Sequence, residues 1–530
     1  MLHRFACSAL LLLASSTAAN AGGFHIPDLG ATALGRAGAF TARADDPTAI
    51  HHNPAGAASL VGTQLFFSGT LLGERIRFTR RQYSDPAIPS DQYPAPLSGT
   101  MPTVTNSAGP VVVPLLAFSS DLGGLLKRLR LNLIGGMYAP NGPPARRFPT
   151  RCRPGSNPCV PDANGTPSPA RYEVSDVDLI AIYPTIGLAW RPRDWLQLGG
   201  VLQLGWASAS YQTTVVALAP LDTENPDNDI VVQLNTHSGV TPTAIVGLQL
   251  RPLRWLALGA ALRFRFSFLT KGTLCIGARG LDGSCAVPPE TAQLLPIPVD
   301  ASPNPSTGRL DVPMPWILRS GLRLIDHDAE GRERFDLEVN VVWESWSVVE
   351  RLAAKLDQPI AIRFADGSVF NEVDQMTLPH AYRNTVSLRI GGTYNIYDLL
   401  SDATLMLSGG FYYETATVPK AYTRLDFLPL AHIGISAGLA VAWRHWSLFA
   451  AYSYTFSPKR TVLPDAGVAT CDVKQSAGCG SQVRAVAPTL FGGDEKRFGR
   501  EIGNGVFESA IQQLSFGVQI RFGKQGAIDE

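Results

Sequence analysis

Hydrophobic and polar residues alternate with a period of two over long stretches of this chain. In residues 513–522 every second residue is apolar, namely Leu514, Phe516, Val518, Ile520 and Phe522. Residues 334–344 and 431–443 show the same alternation. A period of two is typical of a β-strand whose two faces meet different surroundings. The pattern therefore predicts an all-β chain.

Many alternating segments are too long for a soluble β-protein. Strands of soluble proteins usually have about five or six residues, whereas roughly 9 to 11 tilted residues cross a bilayer. A soluble β-sandwich also alternates, so segment length is what favours membrane strands. Fourteen segments are predicted, at residues 63–80, 109–120, 129–140, 171–191, 195–214, 229–251, 255–271, 308–325, 333–348, 384–397, 403–416, 430–443, 446–463 and 505–522. An even number is what a closed bacterial barrel with both ends on one side requires.

The connections between these segments alternate between short and long. Short turns occupy residues 191–194, 251–254 and 443–446, and long Pro/Gly-rich segments occupy 81–108, 141–170, 272–307, 349–383 and 464–504. Short turns on one side and long loops on the other are typical of an outer-membrane barrel. Tryptophans flank the three short turns: Trp190, Trp195, Trp255, Trp443 and Trp446. Their recurrence beside arginine favours an interfacial aromatic girdle, although each single Trp also fits ordinary core packing.

Composition limits the partners of the chain. Its 530 residues include 45 Lys and Arg against 44 Asp and Glu, a net charge of +1, so no basic surface indicates nucleic acid. Length leaves the number of domains open, because a closed barrel is one long unit. Beyond the N-terminus no apolar run approaches the roughly 20 residues of a membrane helix. A membrane span must therefore be made of strands.

The N-terminus has the pattern of a secretory signal peptide. Arg4 precedes the apolar run Ala9 to Ala14, and Ala19-Asn20-Ala21 is a small-residue cleavage site. The apolar run is too short for a membrane anchor. We expect residues 1–21 to be removed and the mature chain to begin at Gly22.

Cysteines outside the signal peptide fall into three close pairs. The pairs are Cys152 with Cys159, Cys275 with Cys285, and Cys471 with Cys479. All lie in long Pro/Gly-rich loops of an exported chain, which favours local disulfides. Metal binding is the alternative, but the spacings lack the C-x-x-C pattern of zinc sites.

Residues 22–60 form a segment without a strand or helix period. The segment is rich in Ala and Gly and carries Asp45, Asp46, His25, His51, His52 and the turn Asn53-Pro54-Ala55-Gly56. Since it can form no core of its own and precedes a series of strands, we predict a plug inside the barrel. Histidine and carboxylate side chains are ordinary metal ligands, but adjacent histidines seldom point at one ion, so a hydrogen-bonded plug is favoured and no metal or cofactor is expected.

Two further patterns indicate chemistry. Gly434-Ile435-Ser436-Ala437-Gly438 fits the G-x-S-x-G pattern of serine hydrolases, but it lies within a predicted strand with no helix after it. Arg263 and Arg265 are predicted to face the lumen, where guanidinium groups could bind a carboxylate head group. The alternative for this pair is a buried ion network with Asp336 and Glu338, or with the acids of the plug.

The plug and the strand series resemble the FadL-type outer-membrane transporters of long-chain fatty acids and other hydrophobic compounds. The resemblance is carried by these motifs: Gly23-Phe24, Leu34-Gly35-Arg36-Ala37-Gly38, Ala44-Asp45-Asp46-Pro47-Thr48-Ala49, Asn53-Pro54-Ala55-Gly56, Trp343-Glu344-Ser345-Trp346-Ser347, Tyr382 to Tyr394 and Asn504-Gly505-Val506-Phe507. It covers nearly the whole mature chain, more strongly in the plug than in the loops. It implies a 14-stranded antiparallel barrel (residues 61–522) closed by an N-terminal hatch (residues 22–60). Residues 523–530 are then a periplasmic tail.

The resemblance also implies a function. A hydrophobic molecule is captured among the extracellular loops, moves to a site against the hatch, and leaves sideways through the barrel wall without an energy source. Phe24, Asn53, Pro54 and Ala55 are the expected hatch residues of this route. The family opening is a kink in the third strand, for which Gly135 and Gly136 are the candidates, since glycine marks bends. Alternatively, this glycine pair only lets a large hatch residue approach.

The implied partners are outer-membrane lipids, lipopolysaccharide and the barrel assembly machinery. The chain itself is expected to be a monomer. Three other functions stay open on the sequence. They are a general polar porin, a barrel-type lipid-acting enzyme and a secreted soluble β-protein.

Overall fold

The computed structural model describes residues 28–81, 101–141, 145–216, 229–276, 300–363, 367–398, 403–462 and 505–522. The predicted signal peptide, Phe24, His25, Cys285, Cys471, Cys479 and the predicted tail lie outside these ranges. Among the described residues, no helix is both long enough and apolar enough to cross a membrane.

Strands make up most of the described chain. They are β1 Thr63–Arg80, β2 Val104–Thr105, β3 Val111–Ser120, β4 Leu131–Asn141, β5 Arg146–Arg147, β6 Arg151–Cys152, β7 Thr166–Pro167, β8 Asp176–Arg193, β9 Leu196–Val216, β10 Asp229–Ser238, β11 Thr241–Leu253, β12 Leu256–Arg263, β13 Phe266–Ile276, β14 Asp300–Ser302, β15 Ser306–Met314, β16 Ile317–His327, β17 Glu333–Glu344, β18 Arg351–Arg363, β19 Val369–Pro379, β20 Thr385–Ile396, β21 Ala403–Glu414, β22 His432–Trp443, β23 Trp446–Phe456, β24 Arg460–Val462 and β25 Gly505–Phe522. Two short α-helices, α1 Ala31–Leu34 and α2 Ala49–His52, precede the first strand, and a 3-10 helix Pro54–Ser59 follows them.

These strands close into the predicted barrel of fourteen antiparallel wall strands, so the predicted fold class is confirmed. Closure is made by the first and last strands, which pair from Thr63 with Phe522 to Arg80 with Gly505. Three wall strands are interrupted and consist of β10 with β11, β12 with β13, and β15 with β16. The wall thus has no free edge at its seam.

Polar residues face the lumen and apolar residues face outward, which is the reverse of a soluble protein. In β25 the side chains of Ser515 and Gln519 are buried, whereas Phe516 is 60% exposed and Phe522 is 50% exposed. An exposed apolar band is stable only against lipid. The alternation seen in the sequence therefore reports the two sides of the barrel wall.

The predicted loop 349–383 contains structure that the sequence pattern did not indicate. β18 and β19 form a hairpin from Arg351 with Pro379 to Arg363 with Val369, and β18 also pairs with β15. Its buried side chains include Leu352 and Leu378. The hairpin extends the wall on the long-loop side, and its register shifts between Lys355 and Ile360.

Candidate functional site

The segment before β1 fills the lumen of the barrel. From Asp28 to Asn53 nearly every side chain is buried, although α1 and α2 have only four residues each. Helices this short are marginal in isolation, so their conformation depends on the wall around them. We call residues 28–60 the hatch.

Polar wall side chains bind the hatch backbone. Asn132 Nδ2 donates to the carbonyls of Ala57 and Leu60, each at 2.7 Å. Gln249 Nε2 donates to the carbonyl of Ala42 at 2.8 Å, and Glu338 accepts from the backbone nitrogen of Ala42 at 2.7 Å. These contacts satisfy backbone groups that the irregular hatch cannot pair internally. The inward polar residues of the wall therefore supply hydrogen bonds that the hatch backbone cannot make within itself.

Asn53 links three parts of the hatch and wall. Its Nδ2 donates to the carbonyl of Thr41 at 2.8 Å and to that of Leu248 in β11 at 3.1 Å. Its Oδ1 accepts from the backbone nitrogen of Ala55 at 3.2 Å, which caps the 3-10 helix that begins at Pro54. Gly247 of β11 packs closely against Asn53, because a Cβ added at Gly247 would lie 2.1 Å from Asn53 Oδ1.

A buried ion cluster holds the hatch to β16 and β17. Arg36 and Arg43 of the hatch both bind Asp336, and Arg323 binds the same carboxylate at 2.9 Å. Arg43 also pairs with Asp45 at 2.8 Å. The sequence allowed an ion network of Asp336 or the plug acids with Arg263 and Arg265. In the structure, the arginines that bind Asp336 are Arg36, Arg43 and Arg323.

The two adjacent histidines are hatch residues packed against rings. The His51 ring lies edge-on to His52 and to Tyr138, with centroids 4.9 and 5.0 Å apart. His52 Nε2 lies 2.9 Å from the carbonyl of Leu29. Burial raises the pKa of neighbouring Asp46 to about 6, while its Oδ1 accepts from the backbone of Thr48. Within the described ranges no cluster of His, Cys, Asp and Glu is arranged to hold a metal ion.

Above the hatch, toward the long loops, lie two small adjoining cavities. Both are lined by Leu179, Ala209, Thr236 and Val312. The other lining residues are mostly apolar: Ala181, Ala207, Phe268 and Met314 in the smaller cavity, and Val177, Leu234, Leu310, Leu352, Leu378 and Phe427 in the larger one, with Ser208, Ser210, Thr270 and Tyr211 as polar members. Such a lining accepts a hydrophobic molecule.

A layer of rings and guanidinium groups separates the smaller cavity from the hatch. The Arg263 guanidinium lies 4.8 Å from the ring centroid of Tyr183 and 5.1 Å from that of Phe266. Both rings contact Phe268, which lines the cavity. Arg319 Nη2 lies 3.5 Å from His51 Nε2, and among the described residues its buried Nη1 has no hydrogen-bond partner.

The ladder between β3 and β4 stops partway up the wall. The pairing ends at Leu115 with Tyr138, although Val111 to Pro114 still pair with β1 on the other side. The β4–β8 register shifts between Tyr138 and Asn141, and Pro140 has no N–H to donate.

The same two segments meet again farther up. Ser107 N donates to the carbonyl of Arg147 at 2.8 Å, and Asn106 Nδ2 donates to that of Ala145 at 3.4 Å. We call the unpaired interval directly above the Leu115–Tyr138 pair the wall gap. It is bordered by Val111 to Pro114 on one side and by Ala139 and Pro140 on the other.

Buried apolar side chains lead from the hatch to the wall gap. Ile50 of the hatch belongs to one buried cluster with Tyr138, Ala139 and Val113. Tyr138 stacks near Tyr183, with centroids 6.3 Å apart, which connects this cluster with the rings below the cavity.

A family model described as "Outer membrane protein transport protein (OMPP1/FadL/TodX)" matches residues 162–478. The chain belongs to this family. Its place is the outer membrane, and the family transports hydrophobic compounds. A comparison with the curated protein sequences gives no significant match.

Solved structures agree with this FadL/TodX-family fold. A FadL homologue of Pseudomonas aeruginosa has 18% identity and a TM-score of 0.64, covering 95% of this chain and 100% of that chain. The Pseudomonas putida toluene transporter TodX has 14% identity and a TM-score of 0.56, covering 94% and 99%. The Ralstonia pickettii toluene transporter TbuX has 14% identity and a TM-score of 0.55, also covering 94% and 99%. At these identities the likeness is one of fold.

In this FadL/TodX-family chain the predicted kink residues lie in regular sheet. Gly135 pairs with Phe118 and Ile186, and Gly136 pairs with Ala117 and Thr185. A Cβ at Gly136 would lie 2.8 Å from Ile50 Cδ1 of the hatch. The irregularity lies instead at Ala139 and Pro140, so the glycine pair permits close packing at the base of the wall gap.

The predicted arginine pair is separated. Arg263 is buried, whereas Arg265 is exposed in the two-residue break between β12 and β13. Inward residues are odd-numbered in β12 and include even-numbered Phe268 and Thr270 in β13. The break changes the phase of the strand, which a continuous alternation could not reveal.

The disulfide prediction is confirmed for Cys152 and Cys159, whose sulfurs are 2.04 Å apart. Cys275 is disulfide-bonded, but its predicted partner and the third pair lie outside the described residues. Tyr138, Tyr183 and Arg319 were not candidates from the sequence. Each belongs to an inward face whose polar members look like ordinary lumen residues.

Proposed function

We propose that this chain transports long-chain fatty acids, or amphiphiles of similar shape, passively across the outer membrane. The ligand enters among the long loops, rests with its chain in the two cavities, and leaves sideways through the wall gap. The observation that carries the proposal is an apolar cavity lined by Ala181 of β8, which pairs with Asn141 in the part of β4 that is not paired with β3.

Hydrophobic transfer favours this route. A buried methylene is about 0.8 kcal/mol more stable than one in water, so a lipid chain gains from an apolar site and loses in an aqueous pore. The hatch occupies the lumen below the cavities, which favours a lateral exit over passage along the barrel axis. The wall gap opens that exit toward lipid.

The arginines below the cavity suit a carboxylate head group. Arg263 lies one aromatic layer from the cavity, and Arg319 brings a buried guanidinium beside His51. A guanidinium group can bind a ligand carboxylate in a two-point geometry. The apolar lining accepts the chain and the arginine layer accepts the head.

The test is uptake of labelled oleate and labelled toluene by cells that lack their own transporter and express either wild type or Arg319→Gln. We expect wild type to take up oleate and the variant to lose on the order of 10-fold, consistent with loss of one charged hydrogen bond. Toluene uptake is the matched control. Arg193→Gln, at the exposed end of β8, controls for a general loss of charge.

Transport of a neutral aromatic compound is the second candidate, because most of the cavity lining is apolar. Toluene uptake without oleate uptake, unaffected by Arg319→Gln, would replace the fatty acid with this ligand. Mass analysis of a lipid extract of the purified protein gives an independent answer.

A further inference from the structure

A row of basic residues crosses the outer surface of the barrel on the long-loop side. Lys271 of β13 is directly opposite Arg309 of β15, and Arg309 is directly opposite Lys355 of β18. His237 of β10 is opposite Lys271 and extends the row. All four side chains are exposed. We call Lys271, Arg309 and Lys355 the basic row.

The row contradicts the usual pairing of charges in a sheet. Directly opposite residues of antiparallel strands have Cβ atoms about 4.5 to 5.5 Å apart, and like charges at this spacing are destabilising. The described carboxylate in ion-pair range is Asp357, whose Oδ1 lies 3.6 Å from Arg309 Nε. Asp311 is also exposed on β15, one position along the same face. Two acids next to three cations leave the row with excess positive charge.

The neighbouring residues indicate the height of the basic row in the membrane. Leu269, two residues before Lys271 and on the same face, is 65% exposed and therefore suited to lipid. Counted from Trp255 at the short turn, Lys271 lies beyond the roughly 9 to 11 tilted residues that cross the hydrocarbon. The row thus lies where the outer leaflet presents its polar groups.

The outer leaflet of this membrane consists of lipopolysaccharide, whose lipid A part carries phosphates close to the hydrocarbon. Lysine and arginine are the ordinary side chains for phosphate, and three of them in line match a phosphorylated headgroup. We propose that Lys271, Arg309 and Lys355 form a binding site for the phosphates of one lipopolysaccharide molecule. Its acyl chains lie against the exposed apolar residues below, such as Leu269.

The test compares two triple variants of the full chain purified in detergent. The row variant combines Lys271→Gln, Arg309→Gln and Lys355→Gln. The matched control combines Arg75→Gln, Arg77→Gln and Lys459→Gln, which removes three exposed cations beside the β1–β25 seam, halfway around the barrel. Each protein is titrated with fluorescent lipopolysaccharide and with the same lipopolysaccharide after removal of the lipid A phosphates.

We expect wild type and the control to bind phosphorylated lipopolysaccharide, and the row variant to bind it on the order of 100-fold more weakly. None should bind the dephosphorylated form to a comparable degree. Equal weakening in both triple variants, or retained binding to the dephosphorylated form, overturns the proposal.

Thermal stability, followed by heat-modifiable gel migration, separates binding from a structural role. Without lipopolysaccharide the row variant should melt at or above the wild-type temperature, because repulsion within the row is removed. Added lipopolysaccharide should raise the melting temperature of wild type and of the control, but not that of the row variant. A row variant that is already less stable without lipopolysaccharide shows a structural element and also overturns the proposal.

Discussion

Arg36 of the hatch and Asp336 of β17 form a two-point ion pair inside the barrel. Nη1 lies 2.9 Å from Oδ1 and Nη2 lies 2.6 Å from Oδ2, with both side chains buried. The same carboxylate binds Arg43 and Arg323. One acid of the wall therefore holds two separate parts of the hatch.

Replacing Asp336 with Asn should loosen the hatch. Three buried guanidinium groups would lose their shared carboxylate, and breaking a buried pair costs about 3 to 5 kcal/mol. We expect a lower urea midpoint and higher ion conductance in planar bilayers. Asp326→Asn is the control, because its pair with Arg334 is about half exposed on both sides and should cost at most about 1 kcal/mol. Equal effects of the two substitutions would remove the ion cluster as the hatch anchor.

Replacing Asn53 and Pro54 with Ala should lower uptake while the barrel still assembles. The carbonyls of Thr41 and Leu248 would lose the Asn53 amide as donor, at about 1 kcal/mol for each hydrogen bond. Labelled fatty-acid uptake measures transport, and heat-modifiable migration measures assembly. Asn164→Ala, in an exposed loop, should change neither. Unchanged uptake in the Asn53 and Pro54 variant would exclude this turn from the mechanism.

Adjacent glycines of β21 should tolerate alanine differently. A Cβ at Gly410 would lie 2.4 Å from the backbone carbon of Arg36, whereas at Gly409 the nearest atom, the carbonyl oxygen of Ser436, lies 3.8 Å away. Gly410→Ala should therefore lower the stability by about 1 to 3 kcal/mol through overpacking against the hatch, and Gly409→Ala should be close to neutral. Denaturant midpoints of the two variants decide this, and equal midpoints would contradict the close packing of Arg36 against β21.

Glu173, in the loop before β8, should make the stability of the protein depend on pH. Burial raises its pKa from the ordinary 4.5 to about 6, although it accepts from the backbone nitrogen of Leu425 at 3.2 Å. Because the folded-state pKa lies above the unfolded one, the proton stabilises the fold, and stability falls as pH rises from below 4.5 to above 6.

The measurable quantity is the stability difference between wild type and Glu173→Gln. The stability of wild type relative to Glu173→Gln should fall by roughly 2 kcal/mol between pH 4 and pH 7.5, which corresponds to a pKa difference of about 1.5 units between the folded and unfolded states. Glu330→Gln, at an exposed turn, should show no such shift. A pH-independent difference for Glu173→Gln would contradict the assignment.

Restoring sheet pairing at the wall gap should slow lateral release. Pro140→Val returns an N–H to β4 opposite the unpaired edge of Val111 to Pro114, so the ladder can extend beyond Leu115 and Tyr138. We expect lower fatty-acid uptake with an unchanged affinity for the ligand. Pro192→Val, at the short-turn end of β8, is the matched control, and equal uptake in both variants would move the exit elsewhere.

The period of two predicted strands whose two faces meet different surroundings, and the length of the alternating segments favoured a membrane barrel over a soluble sheet. Strand number, short turns and the unpatterned hatch also followed from the sequence, since a segment that can bury nothing alone needs a container. The hairpin of β18 and β19 was not predicted, because its pairing shifts register between Lys355 and Ile360 and again between Ile362 and Arg363, which interrupts the alternation.

Only the tertiary structure decided which polar residues meet. Arg263 and Arg265 are two residues apart, yet the break at Phe264 and Arg265 changes the strand phase and separates them. Arg36 finds Asp336 three hundred positions away because barrel closure sets which inward side chains share a level. The wall gap likewise depends on where the β3–β4 ladder ends and the β4–β8 ladder shifts register, which is a property of paired strands and not of either strand alone.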